Sequence, residues 1–116
     1  MTSQPLRMKF YDDQQTGSVR KALEQEVLGW PGVIAKPMMG CLFYFHGRKF
    51  FAFLVTKAVV VTKLAEEDRA VLSKKTGAGL FEMDGKTVKA WVRVPLTGPG
   101  DVKSVLPFVR KSYDTT

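Results

Sequence analysis

The sequence predicts an α+β domain with a single antiparallel β-sheet of about five strands and helices packed on it, in the order α-β-β-β-α-β-β-α. Three observations predict it. Residues 35–63 are dominated by aromatic and β-branched side chains with only short breaks. Residues 80–94 repeat that character around Asp84-Gly85, a dipeptide suited to a two-residue hairpin. Apolar residues recur at helical spacing before, between and after these blocks. A chain of 116 residues fits one domain and leaves no room for a second.

Residues 1–16 are polar and without clear period, and are expected to form a flexible arm ahead of a domain spanning 17–116. Ser18 then caps a helix that places Val19, Ala22, Leu23 and Val27 on one face, with Arg20, Lys21 and Glu24 outward. Gly29, Pro31 and Gly32 end it. From Ala35 to Lys63 three strands are expected, with a turn at His46-Gly47 and a weak break at Lys57-Ala58. The second helix runs from Ala65 to about Thr76. Its acids Glu66, Glu67 and Asp68 lie in the first turn and Lys74 and Lys75 in the last, the order the helix dipole favours, with Gly77 as the stop. Strands at Leu80–Met83 and Lys86–Val94 follow. In the segment from Asp101 to Tyr113 Pro107 forbids an unbroken helix, so an irregular start and a regular helix after Pro107 are expected.

Several chemistries are excluded by residue type. Cys41 is the one cysteine, so no intrachain disulfide forms, and His46 is the one histidine. If both lie on one strand, five residues put them on opposite faces and about 16 Å apart, which excludes a Cys-His pair. Two such residues cannot make a structural zinc site, and the acid clusters Asp12-Asp13 and Glu66-Glu67-Asp68 lack the spacing of a calcium loop. Gly77-Ala78-Gly79 lacks the later glycine of a dinucleotide fingerprint and the Gly-Lys-Ser/Thr of a phosphate loop. The expectation is a protein that is not an enzyme, with no cofactor, no metal and no small-molecule substrate. The N-terminus has no signal-peptide h-region and no apolar run reaches the ~18 residues of a membrane helix, so a cytoplasmic protein is expected.

The charge balance, 18 Lys+Arg against 11 Asp+Glu for a net +7, favours an anionic partner such as nucleic acid. Lys49-Phe50-Phe51-Ala52-Phe53-Leu54-Val55-Thr56 resembles the RNA-recognition octamer at its basic residue, paired aromatics, small residue and aliphatic. It departs where Phe50 takes the glycine place and Thr56 the terminal aromatic place, and its strand order differs. A buried strand is the better reading. On the last strand Thr87, Lys89, Trp91 and Arg93 share one face, opposite Val88, Ala90, Val92 and Val94. Lys89, Trp91 and Arg93 are therefore the candidate contacts for nucleic acid or another partner. The central hairpin alternates with Phe50, Ala52 and Leu54 on one side and Phe51, Phe53 and Val55 on the other. One helical layer covers one sheet face, which leaves an apolar face for a protein partner or self-association, with Phe50 and Leu54 as its candidate residues.

The residues also carry a family likeness. Lys36-Pro37-Met38-Met39-Gly40, followed by Phe43-Tyr44-Phe45-His46-Gly47-Arg48-Lys49-Phe50-Phe51-Ala52, resembles the entry motif of the TfoX N-terminal domain (TfoX/Sxy) family. Leu64 to Arg69 and Leu106 to Tyr113 look like that family's second and last helices, so the resemblance spans roughly residues 18–114. Met39 departs from the usual Phe, and Ala65 stands where an Asp cap is expected, at a cost of about 1 kcal/mol. The resemblance implies an α-β3-α-β2-α domain and a non-enzymatic interaction or regulatory role, since the named members regulate competence for DNA uptake. In those members the domain is joined to a C-terminal domain with no counterpart expected here. No catalytic residues come with it. Direct nucleic-acid binding through a basic, aromatic sheet surface is the alternative.

Overall fold

The computed structural model describes residues 10–76, 79–83 and 86–116, with side chains at 10–74 and 91–116. It is the expected α+β domain. Helix α1 (Asp13–Val27) leads into strands β1 (Val33–Met38), β2 (Cys41–His46), β3 (Lys49–Val55) and β4 (Ala58–Val61), then helix α2 (Glu66–Thr76). Strands β5 (Gly79–Met83) and β6 (Lys86–Pro95), a 3-10 turn at Pro99–Asp101 and helix α3 (Val102–Thr115) complete the chain. All six strands form one antiparallel sheet in the order β1-β2-β3-β4-β6-β5. The turns expected at Gly77 and at Asp84-Gly85 lie outside the described residues.

The sheet holds one strand more than expected, because Ala35 to Lys63 folds as parts of four strands and not three. The added turn is Met39-Gly40, with φ of 51° and 79°. Two successive positive-φ residues make the mirror-image turn that joins twisted antiparallel strands. A methionine is an unusual occupant of that conformation, which is why the sequence reads there as a continuous strand. The next turn has the expected glycine, Gly47, at φ 66°.

Helix α1 also begins ahead of the expected Ser18 cap. Asp12 is the N-cap, its Oδ1 accepting the Gln14 N–H at 3.0 Å. Gly17 lies inside the helix rather than before it. Tyr11 and Thr16 are buried, and the Phe10 carbonyl accepts the Thr56 N–H at 2.9 Å. Residues 10–16 therefore belong to the folded body.

Helix α3 runs unbroken through Pro107, against the expected irregular start. Proline has no N–H for the Lys103 carbonyl, a loss that normally destabilises a helix interior. What holds the helix is its stripe of Val102, Val105, Phe108, Val109, Ser112 and Tyr113, all buried against the sheet.

All three helices lie on one face of the sheet. Val19, Leu23 and Val27 of α1, Leu72 of α2 and the α3 stripe meet Leu42, Tyr44, Ala52, Leu54, Val59, Val61, Val92 and Val94 in one cluster. The opposite, helix-free face has its own cluster of Cys41, Phe43, Phe53, Val55, Ala58 and Val60, bordered by Phe10, Met38, Phe45, Phe50 and Trp91. Among the described residues no helix is long and apolar enough to cross a membrane.

Candidate functional site

The helix-free face is built by strand alternation and one irregularity. Cross-strand pairing puts Ile34 beside Phe45, Lys36 beside Phe43, Phe53 beside Val60 and Val60 beside Arg93. Residues directly opposite share a face, so these side chains line one surface. Between Tyr44 and Phe45 the register shifts: Tyr44 pairs with Ala52 but Phe45 with Phe50. The extra residue is Phe51, which turns to the helix side and packs on Trp30 and Tyr113 at ring distances of 6.2 and 5.5 Å. Such a bulge resets the alternation of the strand that carries it.

This corrects the expected interface. Phe50 does not share a face with Leu54: Phe50 joins Phe53 on the helix-free side, and Leu54 is fully buried beneath the helices. The open apolar face expected for self-association is also missing, since Cys41, Phe43, Phe53 and Val60 are each 0% exposed. Simple alternation cannot register a bulge, so the pairing of Phe50 with Leu54 followed from the wrong phase.

Trp91 and Arg93 lie where the alternation placed them, opposite Val92 and Val94. Trp91 is half-buried and stands edge-on to Phe53 at 5.4 Å and to Phe50 at 5.7 Å. Phe43 stacks on Phe53 at 4.5 Å and meets Phe50 edge-on at 4.9 Å, and Phe45 lies 6.3 Å from Phe43. Five rings contributed by three strands thus form one cluster, with Phe45, Phe50 and Trp91 half-buried at its border. Each such ring pair contributes about 0.5–1.5 kcal/mol beyond burial, so the platform is rigid without a ligand. Arg93 is exposed beside Trp91, Lys36 is exposed beside Phe43, and the Lys63 ammonium sits 5.7 Å above the Phe50 ring. The side chain of Lys89, the third candidate on this strand, lies outside the described residues.

One signal was present in the sequence and goes further than net charge. Between Glu26 and Glu66 there is no acidic residue, while Lys36, Arg48, Lys49, Lys57 and Lys63 are all basic, and β6 is equally free of acids. The carboxylates belong mainly to the helices. Apart from Glu82 in β5 the sheet strands carry no acid, so the sheet is the more cationic layer of the molecule.

The helix side holds a polar chain instead. The Tyr11 hydroxyl donates to Asp13 at 2.6 Å, Arg20 bridges Asp13 at 3.3 Å and Glu24 at 3.2 Å, and the Tyr44 hydroxyl donates to Glu24 at 2.8 Å. Arg20 and Glu24 are thereby half-buried under α1 and not turned outward as their helical position suggested. Burial first, then the adjacent carboxylates, raises both phenols above their ordinary 10.0. Both act as neutral donors, and the Tyr44 bond to Glu24 ties β2 to α1.

Cys41 and His46 sit at opposite ends of β2 and on opposite faces. Burial pushes the Cys41 thiol up to about 11, away from any reactive thiolate. His46 stacks on Tyr113 at 4.4 Å and its Nδ1 lies 2.9 Å from the Thr116 hydroxyl. Among the described residues no group of His, Cys, Asp and Glu side chains could hold a metal ion. No family model matches the chain, and neither a curated protein nor a solved structure matches it.

Proposed function

We propose that the chain is a small non-enzymatic regulatory module of the TfoX N-terminal type that binds single-stranded nucleic acid across the helix-free face of its sheet. The observation that carries this reading is the coincidence of partly exposed rings with cations that form no ion pair among the described residues. Phe45, Phe50 and Trp91 are flanked by Lys36, Lys63 and Arg93 on strands and turns without a carboxylate. Bases stack on such rings at about 1–3 kcal/mol each whatever their identity, and the cations follow the phosphates. A single strand exposes the ring faces that stacking needs, whereas a duplex keeps them paired inside. The family part of the reading is supported by the order of elements, with Met39-Gly40 of the entry motif forming the first hairpin.

The non-enzymatic part rests on what the reactive side chains do. Cys41 is buried with a raised pKa, and His46 is engaged with Tyr113 and Thr116. Polarisation titrations of labelled single- and double-stranded oligonucleotides at low and high salt test the proposal. Tight binding of the single strand that weakens steeply with salt is expected, and no binding at low salt contradicts it.

A second reading, self-association, has one favourable observation. Ile34 in the edge strand β1 is 55% exposed, and Met39 in the turn after it is 59% exposed. Lys36 and Pro37 in the same strand are residues that discourage edge pairing, which ranks this reading second. Light scattering at tens of micromolar decides it, a monomer removing it.

A further inference from the structure

On the helix side, far from the cationic sheet face, a groove of about 380 Å³ opens where α1 ends against α3. Trp30, Leu106 and Pro107 form its apolar part, with Lys103 and Arg110 on the α3 wall and Glu26 on the α1 wall. We propose that this groove is a docking site for a short peptide segment of a partner protein that presents an apolar side chain next to a carboxylate.

Three features select that occupant. Arg110 is pre-organised: its guanidinium lies 5.1 Å from the Trp30 ring and 5.0 Å from the Tyr113 ring, and its Nε is held by Asp114 at 3.1 Å. A guanidinium fixed by rings and one carboxylate keeps its remaining N–H groups for a second, with little ordering cost. Lys103, exposed about two turns away on the same helix, makes no side-chain bond and adds a second cation. Pro107, with no N–H of its own, adds its ring to the apolar part of the groove beside Trp30 and Leu106.

Charge also separates this occupant from nucleic acid. Glu26 lines the groove and Asp114 already takes one edge of the Arg110 guanidinium, so the two cations offer room for one further carboxylate and not for a run of phosphates. A single carboxylate meets Arg110, with Lys103 adding attraction from further along the helix, while the neighbouring apolar side chain lies against Trp30, Leu106 and Pro107. The site is independent of the sheet-face reading: either can fail alone.

The test is a nuclear magnetic resonance titration of the full ¹⁵N-labelled chain with N-acetyl-leucyl-aspartyl amide, N-acetyl-leucyl-lysyl amide and inorganic phosphate. The aspartyl peptide alone is expected to shift the Trp30 indole and the amides of Lys103, Leu106 and Arg110, saturating in the millimolar range. Lys103→Gln, a change at an exposed position that leaves the spectrum folded, is expected to weaken it about threefold. Equal shifts with the lysyl peptide, the same shifts from phosphate alone, no shifts, or undiminished binding by Lys103→Gln would each overturn the proposal.

Discussion

The Ser112 hydroxyl donates to the Phe51 carbonyl at 2.6 Å and accepts the Lys63 N–H at 2.9 Å, fully buried between α3 and the sheet. It satisfies the backbone where the β3 bulge disturbs the ladder. Ser112→Ala should therefore cost about 1–3 kcal/mol, read as a lower urea midpoint with unchanged slope. An unaltered midpoint would mean that water takes the hydroxyl's place. The buried phenols and thiol make a second prediction at this scale. Tyr11, Tyr44 and Cys41 all have raised pKa values, so folding favours their neutral forms. Their contribution is complete below the unfolded values of 9.0 for the thiol and 10.0 for the phenols, and is lost as pH rises past them. The urea midpoint should fall from about pH 9 upward, and less steeply in Tyr44→Phe. A midpoint flat to pH 11 would contradict the burial of these groups. The burial of Glu24, and of Arg20 paired with it, was not legible in the sequence because helical periodicity sees only α1, whereas Tyr44, which donates to Glu24, belongs to β2.

The elements were legible where local chemistry decides them. Apolar alternation, the Gly47 turn and the α2 charge order all have local causes, and the α+β class followed from them. Three features had non-local causes. The left-handed Met39 is held by the pairing of β1 with β2, the bulge at Phe51 by a pocket between Trp30 and Tyr113, and Pro107 by the packing of α3. Helix α2 shows a local cost directly. The Ala65 carbonyl accepts the first helical bond, from the Arg69 N–H at 3.0 Å, so Ala65 is the cap and has no side-chain acceptor. Ala65→Asp should stabilise the fold by about 1 kcal/mol, raising the melting temperature by roughly 4 °C. No gain would mean that Glu66, Glu67 and Asp68 already satisfy the helix N-terminus.

At the scale of the whole molecule the charge is layered. Acids concentrate on the three helices, and the sheet strands β1–β4 and β6 carry bases alone. The layering was visible in the order of charges along the chain, but the face on which the bases meet rings depended on the bulge and on β6 joining β4. The groove between α1 and α3 was not legible at all, since Trp30 and Arg110 lie eighty residues apart and meet only through packing.

The central claim is that Lys63 and Arg93 hold phosphates beside the ring platform. The most direct test is the slope of log affinity against log salt for a single-stranded oligonucleotide, compared between the native chain and Lys63→Gln/Arg93→Gln. Two phosphate contacts fewer should flatten the slope by about 1.4, at about −0.7 per contact, while the fold persists because Arg93 is exposed and Lys63 half-buried. An identical slope and affinity in the double variant would contradict the account.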